Sequence, residues 1–276
     1  MKLGRMTLIL SLVAACGASG PGAAQTPDTV VFVPAHVPFG PGERLDYRVS
    51  VGLFGGMGHG SMEVLGIEGI RHRPTYHLRY RLKGGVVFAR LDDIFQSWLD
   101  VEGLFARRFA QDQKEARFRR FRVFDFYPEE RRFVRLDGKG AGDLPTNEPL
   151  DDVSFLYFVR TLPLEVGRSF VVERYFQQTG NPVRINVLRR QRITVPYGTF
   201  DTIVVLPIVR TGGLFSQGGQ AELYFSDDDR HLLVQMIARI PVLKHVQLSL
   251  EGYRPGTKLS PGPLSFLPAA PVPPRD

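Results

Sequence analysis

Asp151, Ser154, Tyr157 and Arg160 recur at intervals of three, a spacing that places a carboxylate, a hydroxyl, a phenol and a guanidinium on roughly one helical face. On an otherwise apolar helix such a stripe could line a pocket. The same residue types also have a purely architectural use. Asp151 would cap the free N–H groups of the first turn, Ser154 would bond locally to backbone, and Arg160 would satisfy carboxyls or the helix C-terminus. The architectural use is the expectation carried forward.

A second constellation is basic and aromatic. Arg107, Arg108, Lys114, Arg117, Arg119, Arg120, Arg122, Arg131, Arg132 and Arg135 alternate with Phe109, Phe118, Phe121, Phe124 and Phe126. Guanidinium groups pair bidentately with phosphate, so this stretch could meet anionic head groups or an acidic polymer. Five acids lie among the ten bases of residues 105–135, which also permits pairing across strands on a solvated face.

Other chemistry is poorly supported. Carboxylates are adjacent at Asp92-Asp93, Glu129-Glu130, Asp151-Asp152 and Asp227-Asp228-Asp229. Neighbours on a strand point to opposite faces, so none forms a dyad alone, and the aspartate triplet suits a hairpin turn better than a calcium loop. Six histidines are scattered without metal-ligand spacing, and Ser216 lies outside a Gly-x-Ser-x-Gly elbow. The run Gly55-Gly56-Met57-Gly58-His59-Gly60 lacks the Lys-Ser or Lys-Thr of a phosphate loop and reads as a flexible hairpin connection. Trp98, the single tryptophan, fits core packing or a pocket wall. No cofactor, metal or catalytic residue is expected. An enzyme acting on cell-wall or lipid substrates would need Asp151, Asp228 and a histidine to converge.

The elements that must position these residues are mainly strands. Tyr76, Leu78, Tyr80 and Leu82 alternate with Thr75, His77, Arg79, Arg81 and Lys83, and Leu45, Tyr47, Val49 and Val51 alternate with polar residues in the same way. That period of two marks half-buried strands with one wet face. Turn residues often recur every 8 to 15 positions, which predicts antiparallel hairpins. The exception is 151–162, where Val153, Leu156 and Tyr157, then Phe155, Phe158, Val159 and Leu162, fall at helical spacing before Pro163. The prediction is one domain over 39–254: a curved antiparallel sheet or open β-barrel with one principal helix near 151–162.

The two ends differ from this. Met1-Lys2-Leu3-Gly4-Arg5 leads into an apolar run from Met6 to Ala15 that stops at Cys16, the only cysteine. A basic start with about ten apolar residues reads as a secretory signal, too short to span a bilayer. Leu12-Val13-Ala14-Ala15-Cys16 also resembles a lipobox, which predicts lipidation at Cys16 and a membrane tether over 17–38. Gly22-Ala23-Ala24 before Gln25 supplies an alternative cleavage site for a soluble periplasmic product. Gly17 after Cys16 points to the outer membrane. Losing Lys2 and Arg5 would lower the net charge from +7 to +5 (7 − 2), and export removes nucleic acid as the partner of a basic chain. Residues 255–276 hold seven prolines and should be extended or disordered.

Several of these positions also resemble a known family of exported bacterial proteins, the DUF3108 domain. They are Gly42-Glu43-x-Leu45-x-Tyr47, Gly58, Asp151-x-x-Ser154-x-x-Tyr157-x-x-Arg160 with Leu162, Leu164 and Gly167, Gly198-Thr199-Phe200, and Ser226-Asp227-Asp228 after Leu223-Tyr224-Phe225. The resemblance implies an envelope location and a β-rich fold, and carries over no catalytic residue. The resulting expectation is a non-catalytic envelope protein that binds an apolar or lipid-like ligand or an anionic polymer. Arg117, Arg119, Arg120, Arg122, Trp98, Tyr157 and Arg160 are its candidate contacts. The alternative is a structural partner docking other envelope proteins through a strand edge or the proline-rich tail.

Overall fold

A computed structural model of the chain describes residues 37–51, 56–86, 89–115, 118–209, 220–239, 246–260 and 264–274. Cys16, Arg117, Ser216 and the connection at 52–55 lie outside them.

Alternating sequence becomes one open antiparallel sheet. Its first half comprises β1 (Arg44–Val51), β2 (Gly56–Ile70), β3 (Arg73–Val86), β4 (Ala89–Asp100), β5 (Ala106–Glu115), β6 (Phe118–Tyr127), β7 (Arg132–Arg135) and β8 (Ala141–Asp143). After helix α1 (Asp152–Val159) come β9 (Ser169–Val172), β10 (Val183–Val195), β11 (Gly198–Ile208), β12 (Gln220–Ser226), β13 (Leu233–Arg239) and β14 (Val246–Arg254). Spatial order is β8-β7-β6-β5-β4-β3-β2-β1-β14-β13-β12-β11-β10-β9. Every neighbouring pair is consecutive in the chain except β1 and β14, which zip the first strand to the last of these. The two outer strands, β8 and β9, are therefore joined by the segment that carries α1.

That segment is stitched into the sheet at its entry. Pro149 accepts from the Ala106 amide at 2.7 Å, and Leu150 exchanges hydrogen bonds with Arg174 and Phe176 at 2.5 and 3.0 Å. The start of β5 is thereby linked to the chain that follows β9. Asp151 then accepts from the Val153 and Ser154 amides, while the Ser154 hydroxyl accepts from the Asp151 amide, a reciprocal cap. Val153, Phe155, Leu156, Tyr157 and Val159 are all buried. With all but Asp152 and Phe158 buried, the helix packs against β3 and β4. It stops at Val159, short of the expected Leu162, where Thr161 and Leu162 bond three residues back to Phe158 and Val159 ahead of Pro163. The residue before a proline disfavours helical geometry.

The register sorts side chains into two layers. Leu45, Met62, Tyr80, Phe95, Gln111 and Arg122 are successive partners across β1 to β6 and share the inner face. His77, Trp98, Arg108 and Asp125 are partners on the outer face. Leu45, Tyr47, Leu78, Leu99, Phe109 and Phe126 retain 0% of their accessible surface. A side chain bordering a water-sized void would keep some, so the interior around these residues is filled. Among the described residues no helix is long and apolar enough to cross a membrane.

One expectation is corrected. Gly58, His59 and Gly60 are not part of a hairpin connection but of the first turn-free stretch of β2. A Cβ on Gly58 would lie 2.5 Å from the Lys83 carbonyl oxygen of β3, so glycine there serves close strand packing.

The tail is extended over the stretch described. Leu267 and Pro268 form a short strand, β15, paired in parallel with Glu68 and Gly69 of β2.

Candidate functional site

The helical stripe resolves into architecture. Asp151, Ser154, Tyr157 and Arg160 are 0 to 1% exposed and turned into packed surroundings. Asp151 caps α1 and also accepts from the Ser97 hydroxyl of β4 at 2.6 Å. Burial pushes its carboxyl up to about 7, against the hydrogen bonds from Ser97, Ser154 and Val153. At the other end, Arg160 donates to both oxygens of Glu43 at 2.6 and 3.0 Å and to the Arg230 carbonyl at 3.1 Å. The Tyr157 ring meets Phe39 edge-on with centroids 4.9 Å apart, and its buried hydroxyl has no hydrogen-bond partner. Two of the family-like positions far apart in sequence, Glu43 and Arg160, thus meet in one knot. Composition gave no sign of that pairing.

Much of the basic stretch is paired. Arg107 lies 2.6 Å from Asp100 and 3.3 Å from Glu129, Arg108 holds Asp125 from β6, and Arg132 pairs with Glu130. Arg119 and Arg120 are both exposed, and Arg119 lies on the outer-face register of β6.

Arg120 and Arg122 differ from their neighbour by one step of the strand. They share a face with Phe124 and Phe126, which belong to the main core, so they point to the inner side. Arg135 of β7 is the register partner of Phe124 and joins them there. The guanidinium carbons of Arg122 and Arg135 both lie 5.7 Å from the Phe124 ring centroid. Burial, together with the charges of Arg120 and Arg135, holds Arg122 below the ordinary arginine value, with Asp152 and Asp137 opposing. Arg135 also pairs with Asp137.

Four of the six unpartnered buried side-chain polar atoms among the described residues lie on this inner face. The Nε atoms of Arg122 and Arg135, the Gln111 Oε1 atom and the Tyr80 hydroxyl have no hydrogen-bond partner. Gln111 and Tyr80 are each 7% exposed. Gln111 is the direct register partner of Arg122, and Tyr80 stands two strands away across Phe95. Deeper in the same face the rings of Phe95, Phe109, Phe124 and Phe176 follow one another at 5.5 to 6.5 Å. A cationic, partly dry rim over an aromatic floor can take an anion. The basic stretch flagged Arg120 and Arg122 in sequence. Gln111, Tyr80 and Arg135 as companions were missed, because only the register brings them together.

Trp98 is on the opposite, outer face. Its indole N–H donates to Glu68 at 2.8 Å and its ring stacks on His77 with centroids 4.4 Å apart. The other constellations do not converge. Asp228 is in the β12–β13 turn with Arg230, and His231 bonds the Arg160 carbonyl beyond the C-terminus of α1. Asp151 caps the opposite end of that helix, about 13 Å away at 1.5 Å per residue. Among the described residues no group of three or more His, Cys, Asp or Glu is placed to hold a metal.

One solved structure shows the same kind of fold. A β-barrel-like protein of domain of unknown function DUF1849 from Brucella abortus matches with a TM-score of 0.51 at 10% identity, over 79% of this chain and 99% of that one. The hypothetical protein CT021 from Chlamydia trachomatis matches with a TM-score of 0.29 at 10% identity, over 84% and 93%. No curated protein matches the chain. The pattern of the family described as protein of unknown function (DUF3108) covers residues 46–250. With the helix and most of the sheet inside that span, the chain belongs to the DUF3108 family.

Proposed function

We propose that this protein is a non-catalytic binding protein of the cell envelope. Its ligand is an anionic head group, phosphate-bearing and hydroxylated, held by Arg122, Arg135 and Arg120 beside Gln111 and Tyr80. The observation that carries this reading is the set of buried, unpartnered polar atoms on one inner face: two guanidinium Nε atoms, an amide oxygen and a phenol. Unpaired buried polar groups are expensive, so a site that leaves several together suits a ligand that completes them. The filled interior below favours a head group seated at the rim over an acyl chain swallowed whole. The expected leader up to Cys16 supports the envelope, where such ligands are abundant, and the balance of +5 left without it (7 − 2) suits an anionic ligand.

The test is binding of glycerol phosphate, and of vesicles of phosphatidylglycerol against phosphatidylcholine, to the native chain and to an Arg122→Gln/Arg135→Gln variant. The expected result is that the double variant loses at least tenfold in affinity while Arg119→Gln, on the outer face, keeps it. Binding to glycerol phosphate alone assigns a soluble phosphate; preference for phosphatidylglycerol assigns a lipid head group. Equal affinity of the native chain and the double variant would remove the site.

A further inference from the structure

The tail carries a pattern of its own. Within residues 264–274, Leu264, Phe266, Ala269 and Val272 are half-buried, while Ser265, Leu267, Pro268, Ala270, Pro271, Pro273 and Pro274 are exposed. From Phe266 on the contacts fall at every third residue, and with prolines at 268, 271, 273 and 274 this suits a chain that leaves the short strand β15 in polyproline II form. That surface is the outer face of the sheet. Ala269 and Val272 pack on a small cluster of Ile70, Trp98, Ala110 and Val123, separate from the main core. Phe266 lies over Gly69, where any Cβ would meet its ring at 2.6 Å.

We propose that the outer face around Trp98 is a recognition groove for a proline-rich segment in polyproline II form, and that residues 264–274 are its resident, exchangeable ligand. The side chains under the tail are held by the sheet itself. Trp98 is fixed by Glu68 at 2.8 Å and by the His77 ring, and Arg108 beside it is held by Asp125. A preformed aromatic groove is what proline-rich recognition uses. The ligand, by contrast, is lightly held. Its backbone donates from Ala269 to the Gly69 carbonyl at 2.9 Å, and Leu267 is 77% exposed. This site is on the opposite face from the arginine rim, so the two readings stand or fall separately.

The experiment uses the full chain, in which Trp98 is the only tryptophan. Ala269→Asp/Val272→Asp should undock the tail and move Trp98 emission to longer wavelength. A labelled peptide with the sequence of residues 261–276 should then bind this variant at least tenfold more tightly than the native chain, where the tethered tail competes at high effective concentration, and should restore the emission. Unchanged emission, or equal peptide affinity for the two chains, overturns the proposal. Native-chain hydrogen exchange gives an independent reading. The Ala269 amide should exchange at least a hundredfold faster than amides of β3 and β4, and protection equal to those strands would show that the tail does not detach.

Discussion

Arg160 and Glu43 face each other through two hydrogen bonds of 2.6 and 3.0 Å, with side chains 0% and 1% exposed, across 117 positions of sequence. The pair ties the C-terminal end of α1 to the residue before β1. The guanidinium also lies within 5.4 Å of the Phe39 ring centroid and 5.5 Å of that of Tyr157. A desolvated pair of this kind contributes little over a well-packed apolar pair, but losing one partner strands the other charge.

Arg160→Met should therefore destabilise the fold by about 3–5 kcal/mol. Adding Glu43→Gln to it should recover a large part of that loss. Urea denaturation of the two single variants and the double variant measures both effects, and strictly additive losses would show that the residues act independently.

Stability should fall with rising pH on the acid side of neutrality. Burial raises the folded-state Asp151 carboxyl from 3.8 to about 7, and Asp152 is shifted in the same direction. The folded state then holds protons that the unfolded chain releases between about pH 4 and 7, so unfolding becomes easier across that window, by up to about 1.4 kcal/mol per pH unit per proton. Asp151→Asn should flatten the slope. Thermal unfolding at several pH values reads it, and a rise in stability from pH 4 to 7 that Asp151→Asn abolishes would reverse the assignment.

Replacing Arg122 should separate binding from stability. Its environment disfavours the charge, through burial and through Arg120 and Arg135. Arg122→Gln should hold or raise stability, by a few tenths to about 1 kcal/mol, while anion binding is lost. A loss above about 2 kcal/mol in urea denaturation would instead make Arg122 part of the architecture.

Gly58→Ala should destabilise by about 1–3 kcal/mol, because the added carbon meets the Lys83 carbonyl at 2.5 Å and β2 must move off β3. Gly66→Ala, where nothing lies within 4 Å of the added carbon, serves as the matched control. Equal denaturation midpoints for the two variants would dismiss close packing as the reason for glycine at 58.

Sequence made the strands legible wherever one face was polar, as in Thr75 to Lys83. The start of β2 was not legible, because glycines at 58 and 60 read as a turn until the approach of β3 is known. Helix α1 announced itself by spacing and by Asp151. Its dry setting showed only in the number of its apolar residues. Of the candidate contacts, Trp98, Tyr157 and Arg160 went to three different places: an outer-face cluster with Ile70, Ala110 and Val123 for Trp98, an aromatic contact with Phe39 for Tyr157, and an ion pair with Glu43 for Arg160.

From residues alone follow the mainly β class, the position of the helix and the family signature, because periodicity and capping are local properties of the chain. Tertiary structure decided which way each arginine faces. Arg119 and Arg120 are adjacent and chemically identical, yet strand geometry sends one to each face, and only the pairing of β6 with β5 and β7 sets Gln111 and Arg135 beside Arg122. Register is a long-range choice that no short segment encodes by itself.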